Sequence, residues 1–441
     1  MIKRFGILIL FLIFLFSLSF SDDNIEIISA DFEKSWNRFM NSNVFVMKYN
    51  SYLNMVSLIF PVGLSDEKPN KVGIRYAFFY SLSKKIDKEL ENNKIFGNVS
   101  LVVEDDYVNV KILFPSMYKV IDVLKVVGDV LNNVDGVISD IDKDVLFYCY
   151  QDVGNFYSNS FNSILFYFRQ NIFASHPYSF LAYGNQKNIL YLTKSDFYEF
   201  FKQNKMKPYF FILINDGNVE YIYDYILNHY SLPKTEDQKK ILSLDYWDFD
   251  QYYYRKVDIQ KNRTFSFNIS SDSSYFLYLF TAPEFNKNFD EYISMLIIDN
   301  LLSNPLDGVL WRELREKKGL VYSIYSEYPL LKYTSFYVIF TSCYYKNQGE
   351  VRKIMSRIID NPDLSDDSII YAKQRLISKI KFSFMSIDSF SSSMIYPLIY
   401  KDKRISPFYL QYYIMRAELD SVRKVYKKYF GNYYLFIFEG G

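Results

Sequence analysis

Two polar side chains in the second half of the chain have the types and the spacing to bind an oxygen atom. Arg315 lies near the end of a charged, helix-like segment that Gly319 terminates, and Tyr322 begins the alternating, strand-like run that follows. A turn at Gly319 would bring the guanidinium and the phenol together, and both groups suit carbonyl or carboxylate oxygens. From the spacing alone, a solvated helix end followed by an ordinary strand tyrosine is the simpler interpretation.

Other side chains that commonly perform catalysis are scarce. The 441 residues include two His and two Cys, and Cys149 lies 194 positions before Cys343. This excludes a CxxC redox pair, a Cys-based zinc cluster and a disulfide framework. We expect ordinary packing or a surface hydrogen bond for His176, which precedes a proline, and for His229, which lies among tyrosines.

Composition narrows the class of protein further. Apolar side chains make up 49% of the chain, which suffices for two or three folded domains and excludes a disordered chain. Lys and Arg number 51 against 50 Asp and Glu, so no long-range field would attract nucleic acid or acidic lipid. The sequence has no glycine-rich phosphate loop and no GxSxG elbow, which excludes those nucleotide-binding and hydrolase folds.

The first residues are typical of an export signal. Lys3 and Arg4 precede ten unbroken apolar residues at 7–16, and the small side chains of Ser19 and Ser21 follow. We predict a cleaved signal peptide over residues 1–21 and an exported mature chain, periplasmic or secreted. The apolar run is shorter than the roughly 20 residues that span a bilayer, so we expect no membrane span in the mature chain.

Alternating strand-like and helix-like runs predict a mixed α+β protein. The strand-like runs lie at 108–114, 209–214, 335–341 and 433–438. The helix-like runs lie at 117–131, 194–202 and 350–359.

Short self-similarities indicate that this plan occurs twice. Residues 51–53 resemble 274–276 at an offset of 223, and each segment opens an apolar run that ends at a proline. Residues 138–140 resemble 364–366 at an offset of 226, each with Ser and Asp where a helix would begin. We therefore predict duplicated domains of about 200 residues, joined through a polar linker at 232–240. The predicted domains are 22–235 and 236–441.

The segment 314–326, LREKKGLVYSIYS, is similar to the signature of the C-terminal domain of the M16 peptidases, the insulinase, pitrilysin and mitochondrial processing family. In that family an Arg and a Tyr seven positions apart contact substrate at the transition state, and Arg315 and Tyr322 match them. A second stretch, from His176 to the strand at 211–214, resembles the end of the family's N-terminal domain. The resemblance covers nearly the whole mature chain. It implies two homologous α+β domains, each a mostly antiparallel sheet with helices on one face.

The zinc site of the family is missing from this sequence. Active members carry HxxEH on the first helix, because two His at i and i+4 hold zinc and the Glu activates water. The matching positions hold Tyr76, Phe79 and Tyr80, which we expect to form a buried apolar stripe. The third ligand of the family is a Glu further along, but residues 139–160 contain no Glu and only Asp140, Asp142, Asp144 and Asp152. We predict no metal and no cofactor, since a phenolate-bound iron would also lack neighbouring ligands.

Three functions are compatible with this pattern. The leading hypothesis is a catalytically inactive M16 homologue that serves as a non-catalytic subunit and supplies Arg315 and Tyr322 to a zinc-bearing partner, as in some bacterial pairs of the family. The alternative is a non-enzymatic peptide-binding or assembly protein on the same scaffold, and the third is a peptidase with unconventional ligands. The partner implied is an HxxEH-bearing M16 homologue or a second copy of this chain, and the resemblance allows a peptide substrate.

Overall fold

The computed structural model describes residues 22–174, 176–204, 207–232 and 259–441, and for residues 22–29 it describes the backbone alone. The predicted signal peptide (1–21), the predicted boundary between residues 235 and 236, and most of the predicted linker lie outside the described residues. No helix within these ranges is long and apolar enough to cross a membrane.

Five strands form the sheet of the first domain: β1 (Val44–Lys48), β2 (Leu53–Phe60), β3 (Asn98–Val103), β4 (Val108–Pro115) and β5 (Tyr209–Ile214). Their order across the sheet is β1-β5-β2-β4-β3. β1 and β5 run parallel, and the other neighbouring pairs are antiparallel. Every residue of β5 is buried, because this strand lies inside the sheet and both of its faces are covered.

The second domain repeats this topology strand for strand. Its strands are β6 (Arg263–Ile269), β7 (Ser273–Thr281), β8 (Val321–Glu327), β9 (Phe336–Tyr344) and β10 (Tyr434–Gly440). Their order is β6-β10-β7-β9-β8, again with the first pair parallel and the others antiparallel. The predicted fold class, two α+β domains of one plan, is therefore confirmed.

Helices connect the strands in both domains. The first domain contains α1 (Asp22–Ser42), α2 (Ile74–Asn92), α3 (Val120–Asn132), α4 (Val134–Ser139), α5 (Lys143–Ser158), α6 (Ser160–Ile172), α7 (Gln186–Ile189), α8 (Lys194–Asn204) and α9 (Val219–His229). The second contains α10 (Phe289–Ser303), α11 (Val309–Trp311), α12 (Gln348–Asp360), α13 (Asp366–Ser383), α14 (Ile387–Tyr400), α15 (Pro407–Arg416) and α16 (Leu419–Tyr429). A π-helical turn, Arg312–Glu316, continues α11.

The N-terminal caps of α5 and α13 occupy equivalent positions in the two domains. Ser365 caps α13 by accepting a hydrogen bond from the amide of Ser368, as predicted. The predicted start at Ser139 and Asp140 is wrong, because α4 ends there and Asp142 caps the next helix, α5. Asp142 and Ser365 differ by 223 positions, the same offset as the first self-similarity. The corrected cap therefore strengthens the case for duplication.

The second sheet packs against its own helices on one face and against a helix of the first domain on its other face. The first sheet packs against α2, α3 and α9 on one face, and its own α1 shares the other face with α14 of the second domain. α6 of the first domain lies on the second sheet, where the ring centroids of Phe168 and Phe436 are 5.4 Å apart. α14 of the second domain lies on the first sheet, where Phe390 stacks on Tyr49 with centroids 5.2 Å apart. Each domain therefore completes the core of the other.

Candidate functional site

The three aromatic residues at the family's zinc-site positions lie in the first turns of α2. Phe79 is completely buried, and its ring centroid is 4.6 Å from that of Phe60. Tyr76 is 3% exposed. Tyr80 is partly buried and stacks on Tyr148 of α5 with centroids 4.9 Å apart. Tyr76 and Phe79 are therefore core residues, whereas Tyr80 lies at the edge of the core, and the hydroxyls of the two tyrosines are the polar atoms of this helix face.

The start of α2 is held tightly by its surroundings. Gly73 and Gly184 both have positive φ, 113° and 83°, and a Cβ at Gly184 would lie 2.4 Å from the amide nitrogen of Gly73. Arg75 is fully buried and pairs with Glu67 at 3.0 Å. Its guanidinium also donates to the carbonyl oxygen of Ala182 at 2.9 Å. This packing fixes the direction in which the aromatic stripe points.

Asp152 is the residue at this site that sequence reasoning missed. The hydroxyl of Tyr76 donates a hydrogen bond to Asp152 Oδ2, which links α2 to α5. The other three candidate carboxylates lie elsewhere, since Asp142 caps α5 and Asp140 pairs with Lys85. Asp144 is exposed in the first turn of α5. The sequence contained Asp152 among four aspartates, but no local signal distinguished the one that meets α2.

The residues present do not fit the zinc ion that the fold family implies. Burial first, and then the bond to Asp152, hold the pKa of Tyr76 well above its usual value, so this phenol is a neutral donor and not a phenolate ligand. Burial also raises the pKa of the neighbouring Cys149 thiol to about 12. Within the described ranges, no group of three or more His, Cys, Asp or Glu could hold a metal. A phenol, a carboxylate and aromatic rings occupy the position instead.

Neither histidine contributes to this position. His176 is buried at the start of a short turn, and its Nδ1 accepts from the amide of Tyr178 at 3.1 Å. Burial lowers the pKa of His176 to about 4, which keeps the ring neutral. His229 is exposed on α9, where it stacks on Tyr225 and Nδ1 lies 2.8 Å from that residue's carbonyl oxygen. Packing and surface hydrogen bonding are the roles that we predicted.

Arg315 lies in the π-helical turn that follows α11. Its guanidinium is 4.8 Å from the ring centroid of Trp311, a cation–π contact along the same helix face. Gly319, at a φ of 62°, ends the turn, and its amide donates to the carbonyl oxygen of Arg315 at 2.9 Å. The side chain of Arg315 is exposed and makes no ion pair within the described ranges. Its fork of donors is therefore directed at solvent.

Tyr322 lies at a β-bulge in β8, an edge strand of the second sheet. Val321 pairs with Cys343 and Ser323 with Ser342, so Tyr322 is the extra residue between two paired positions. Bulges re-aim side chains, and Tyr322 is 70% exposed. Its hydroxyl makes no hydrogen bond within the part of the chain that the structure describes. Each of the two predicted residues thus lies on a local irregularity of the backbone, and neither side chain packs into the core.

The chain consists of two α+β domains of one plan, with no cluster of metal ligands within the described ranges, and solved structures share this fold. A protease from Helicobacter pylori superimposes with a TM-score of 0.72 at 15% identity, covering 90% of this chain and 96% of that one. The peptidase M16 inactive domain from Pseudomonas fluorescens gives 0.64 at 14% identity, with 90% and 96% covered. A chain of Complex III2 from Candida albicans gives 0.70 at 10% identity, with 90% and 94% covered.

At the level of sequence, residues 192–376 match the family model described as the peptidase M16 inactive domain. The match runs from the end of the first domain into α13 and includes both Arg315 and Tyr322. No curated protein matches this sequence. The predicted resemblance to the M16 peptidases is confirmed, and the matched segment is of the inactive type.

Proposed function

We propose that this chain is a non-catalytic, exported M16 subunit that supplies Arg315 and Tyr322 to the active site of a zinc-bearing M16 partner. The observation that carries the proposal is the placement of these residues. One lies on a π-helical turn and the other on a β-bulge, and irregularities of both kinds occur frequently at functional sites. Within the described residues neither side chain makes a hydrogen bond or an ion pair, and the contact of Arg315 with the Trp311 ring leaves the donors of its guanidinium unused.

The chemistry of the pair suits a reaction in which an oxyanion develops. A guanidinium and a phenol can both donate hydrogen bonds to such an oxygen, and that charge exists mainly in the transition state. The aromatic residues of α2 favour a role in which a partner supplies the zinc, because Tyr76, Phe79 and Tyr80 place no zinc ligand on this helix. One structure that shares this fold is a chain of Complex III2 from Candida albicans, which is compatible with partnership on this scaffold.

The test is reconstitution with an HxxEH-bearing homologue encoded by a neighbouring gene. We expect the two purified chains to form a complex on gel filtration and to cleave peptides only together. Arg315→Ala or Tyr322→Phe should lower the turnover number about 10²- to 10³-fold while the complex persists. Arg315→Lys should fail as well, since an ammonium lacks the planar fork of donors.

Two matched variants control for general damage to this surface. Arg312→Ala removes an exposed arginine from the same π-helical turn, and Tyr325→Phe removes a hydroxyl from an exposed tyrosine of the same strand. Both should leave turnover within about twofold. Equal losses of turnover in the test and control variants would show that Arg315 and Tyr322 are ordinary surface residues. Unchanged turnover in all four would favour the alternative, a peptide-binding or assembly protein without a part in hydrolysis.

A further inference from the structure

The edge of the second sheet that β6 forms presents backbone groups without partners. Among the described residues, β6 pairs with β10 alone, in an unbroken parallel register. The amide of Arg263 donates to the carbonyl oxygen of Tyr433 at 3.2 Å, so Arg263 and every second residue after it bond inward, to β10. Thr264, Ser266 and Asn268 therefore direct their N–H and C=O groups outward. No described residue bonds to these groups, and all three side chains are exposed.

The equivalent edge of the first domain is closed. There β1 is the edge strand that runs parallel to its neighbour, as β6 does in the second domain, and α1 lies against it. The hydroxyl of Ser35 on α1 donates to the carbonyl oxygen of Val46 at 2.6 Å. The amide of Val44 donates to Ser42 Oγ, at the end of the same helix, at 3.2 Å. Two domains of one plan thus differ at this strand, because the outward groups of β1 have partners and those of β6 do not.

β6 also lacks the features by which edge strands usually avoid pairing. Such strands are commonly very short, carry lysines or prolines, or contain a bulge. β6 has seven residues, contains no proline and carries one charged residue, Arg263, at its first position. By contrast, β8 at the opposite edge of the sheet contains the bulge at Tyr322 and ends at Glu327. The edge of β6 is therefore suited to accept another extended strand.

The sequence of β6 is complementary to a second copy of itself. In an antiparallel pair centred on Ser266, Thr264 of each copy lies opposite Asn268 of the other. These are the residues whose backbone groups point outward, so the two strands would exchange about six hydrogen bonds, two for each such pair. Phe265 then lies opposite Phe267 on the other face, where both rings already stack on aromatic rings of β10. Aromatic pairs across strands stabilise a sheet.

The charges at the two ends of β6 favour the antiparallel arrangement. Lys261 and Arg263 lie at the beginning of the strand, and Asp272 lies just beyond its end. All three side chains are exposed, and none makes an ion pair with a described residue. An antiparallel second copy would bring the basic end of one strand towards the acidic end of the other. A parallel copy would place Arg263 beside Arg263, which is unfavourable.

We propose that β6 pairs with β6 of a second copy of this chain, antiparallel and with Ser266 at the two-fold axis, so that two five-stranded sheets join into one of ten strands. A contact of this kind closes at the dimer, because both copies use the same edge. The inference does not depend on the proposed role of Arg315 and Tyr322. Tyr322 lies on β8, at the opposite edge of the sheet, so pairing through β6 leaves that surface uncovered.

The test is sedimentation velocity of the purified mature chain over a dilution series. A single pair of strands is a small interface, so we expect a dimer with a dissociation constant on the order of 1 to 100 µM. Ser266→Lys and Ser266→Glu each place like charges opposite one another at the axis and should weaken the dimer about threefold to tenfold. An equimolar mixture of these two variants should dimerise again, because opposite charges then meet. Ser195→Lys, at an exposed serine of α8, is the matched control and should dimerise like the parent.

Two more variants locate the contact. Ser266→Pro removes a donor that the monomer does not use, so it should abolish the dimer while circular dichroism stays that of the parent. Ser266→Cys should be joined to its own copy by a short bismaleimide linker, and the parent should not, because Cys149 and Cys343 are buried. A parent chain that stays monomeric at its highest soluble concentration would overturn the proposal. A dimer that the charged and proline variants leave unchanged, or that Ser266→Cys does not cross-link, would also overturn it, since another surface would then form the contact.

Discussion

Restoring the three zinc-site residues should damage this protein and not activate it. The triple variant Tyr76→His, Phe79→Glu, Tyr80→His introduces HxxEH on α2. Phe79 is completely buried against Phe60, so the new carboxyl would enter an apolar space. Tyr76 would lose its hydrogen bond to Asp152, whereas Tyr80 is partly exposed and has less to lose.

The magnitudes follow from these contacts. Removing a buried Phe side chain costs about 3 to 5 kcal/mol, and burying an unpaired carboxyl adds about 1 to 3 kcal/mol. Loss of the bond between Tyr76 and Asp152 should cost about 1 to 3 kcal/mol, and loss of the stack of Tyr80 on Tyr148 about 1 kcal/mol. Phe79→Glu therefore accounts for most of the effect. The total is comparable to the whole free energy of unfolding of a typical domain, about 5 to 15 kcal/mol.

Urea unfolding followed by circular dichroism measures these costs for the triple variant and for each single variant. Tyr80→His should remain close to the parent, and Phe79→Leu, the volume control, should lose much less than Phe79→Glu. Zinc content after dialysis, measured by atomic absorption, should stay far below one ion per chain. A triple variant as stable as the parent would refute the reasoning, because it would mean that this face of α2 accepts polar groups. Asp152 makes the zinc measurement informative, since it is a carboxylate beside the first restored His.

Two further predictions concern stability. Burial raises the pKa of Glu104 to about 7, so its carboxyl binds a proton more tightly in the folded state than in the unfolded state. The protonated carboxyl therefore contributes its full stabilisation below the unfolded pKa near 4, and this contribution is lost as the pH rises through 7. Thermal unfolding should therefore show Glu104→Gln gaining stability relative to the parent between pH 5 and pH 8, on the order of 2 kcal/mol, and a constant difference would contradict this. Gly184→Ala should destabilise by about 1 to 3 kcal/mol or more, because its φ is 83° and the added Cβ would meet Gly73. Gly349→Ala, where a Cβ would meet no atom within 4 Å, is the control and should be neutral or slightly stabilising.

Local sequence patterns were sufficient for the elements and for their repetition. The predicted strand at 209–214 coincides with β5, and the predicted helix at 194–202 begins with α8, because the periodicity of apolar residues depends on the geometry of each element alone. The same holds for the cap at Ser365. The cap at Asp142 was misplaced, since Ser139 and Asp140 offered an equally good local signal.

The irregularities that carry Arg315 and Tyr322 were not predictable from the pattern. The segment indicated a helix, a turn at Gly319 and a strand, which the structure contains. A π-helical turn and a β-bulge each insert one residue into a regular hydrogen-bond ladder, and side-chain periodicity does not register such an insertion. The sequence therefore suggested which two residues matter but not how they come to be exposed.

The amino-acid sequence by itself determined that this chain has no HxxEH, that it contains the M16-like Arg and Tyr, and that its plan occurs twice. These are properties of residue identity and short-range spacing. Only the tertiary structure decided that α6 and α14 each cover the sheet of the other domain, that Asp152 meets Tyr76, and that acidic residues from both domains line one cavity. The physical reason is that these contacts join residues far apart in the chain. They depend on how whole helices and sheets pack together, and the sequence of a short segment carries no signal for that packing.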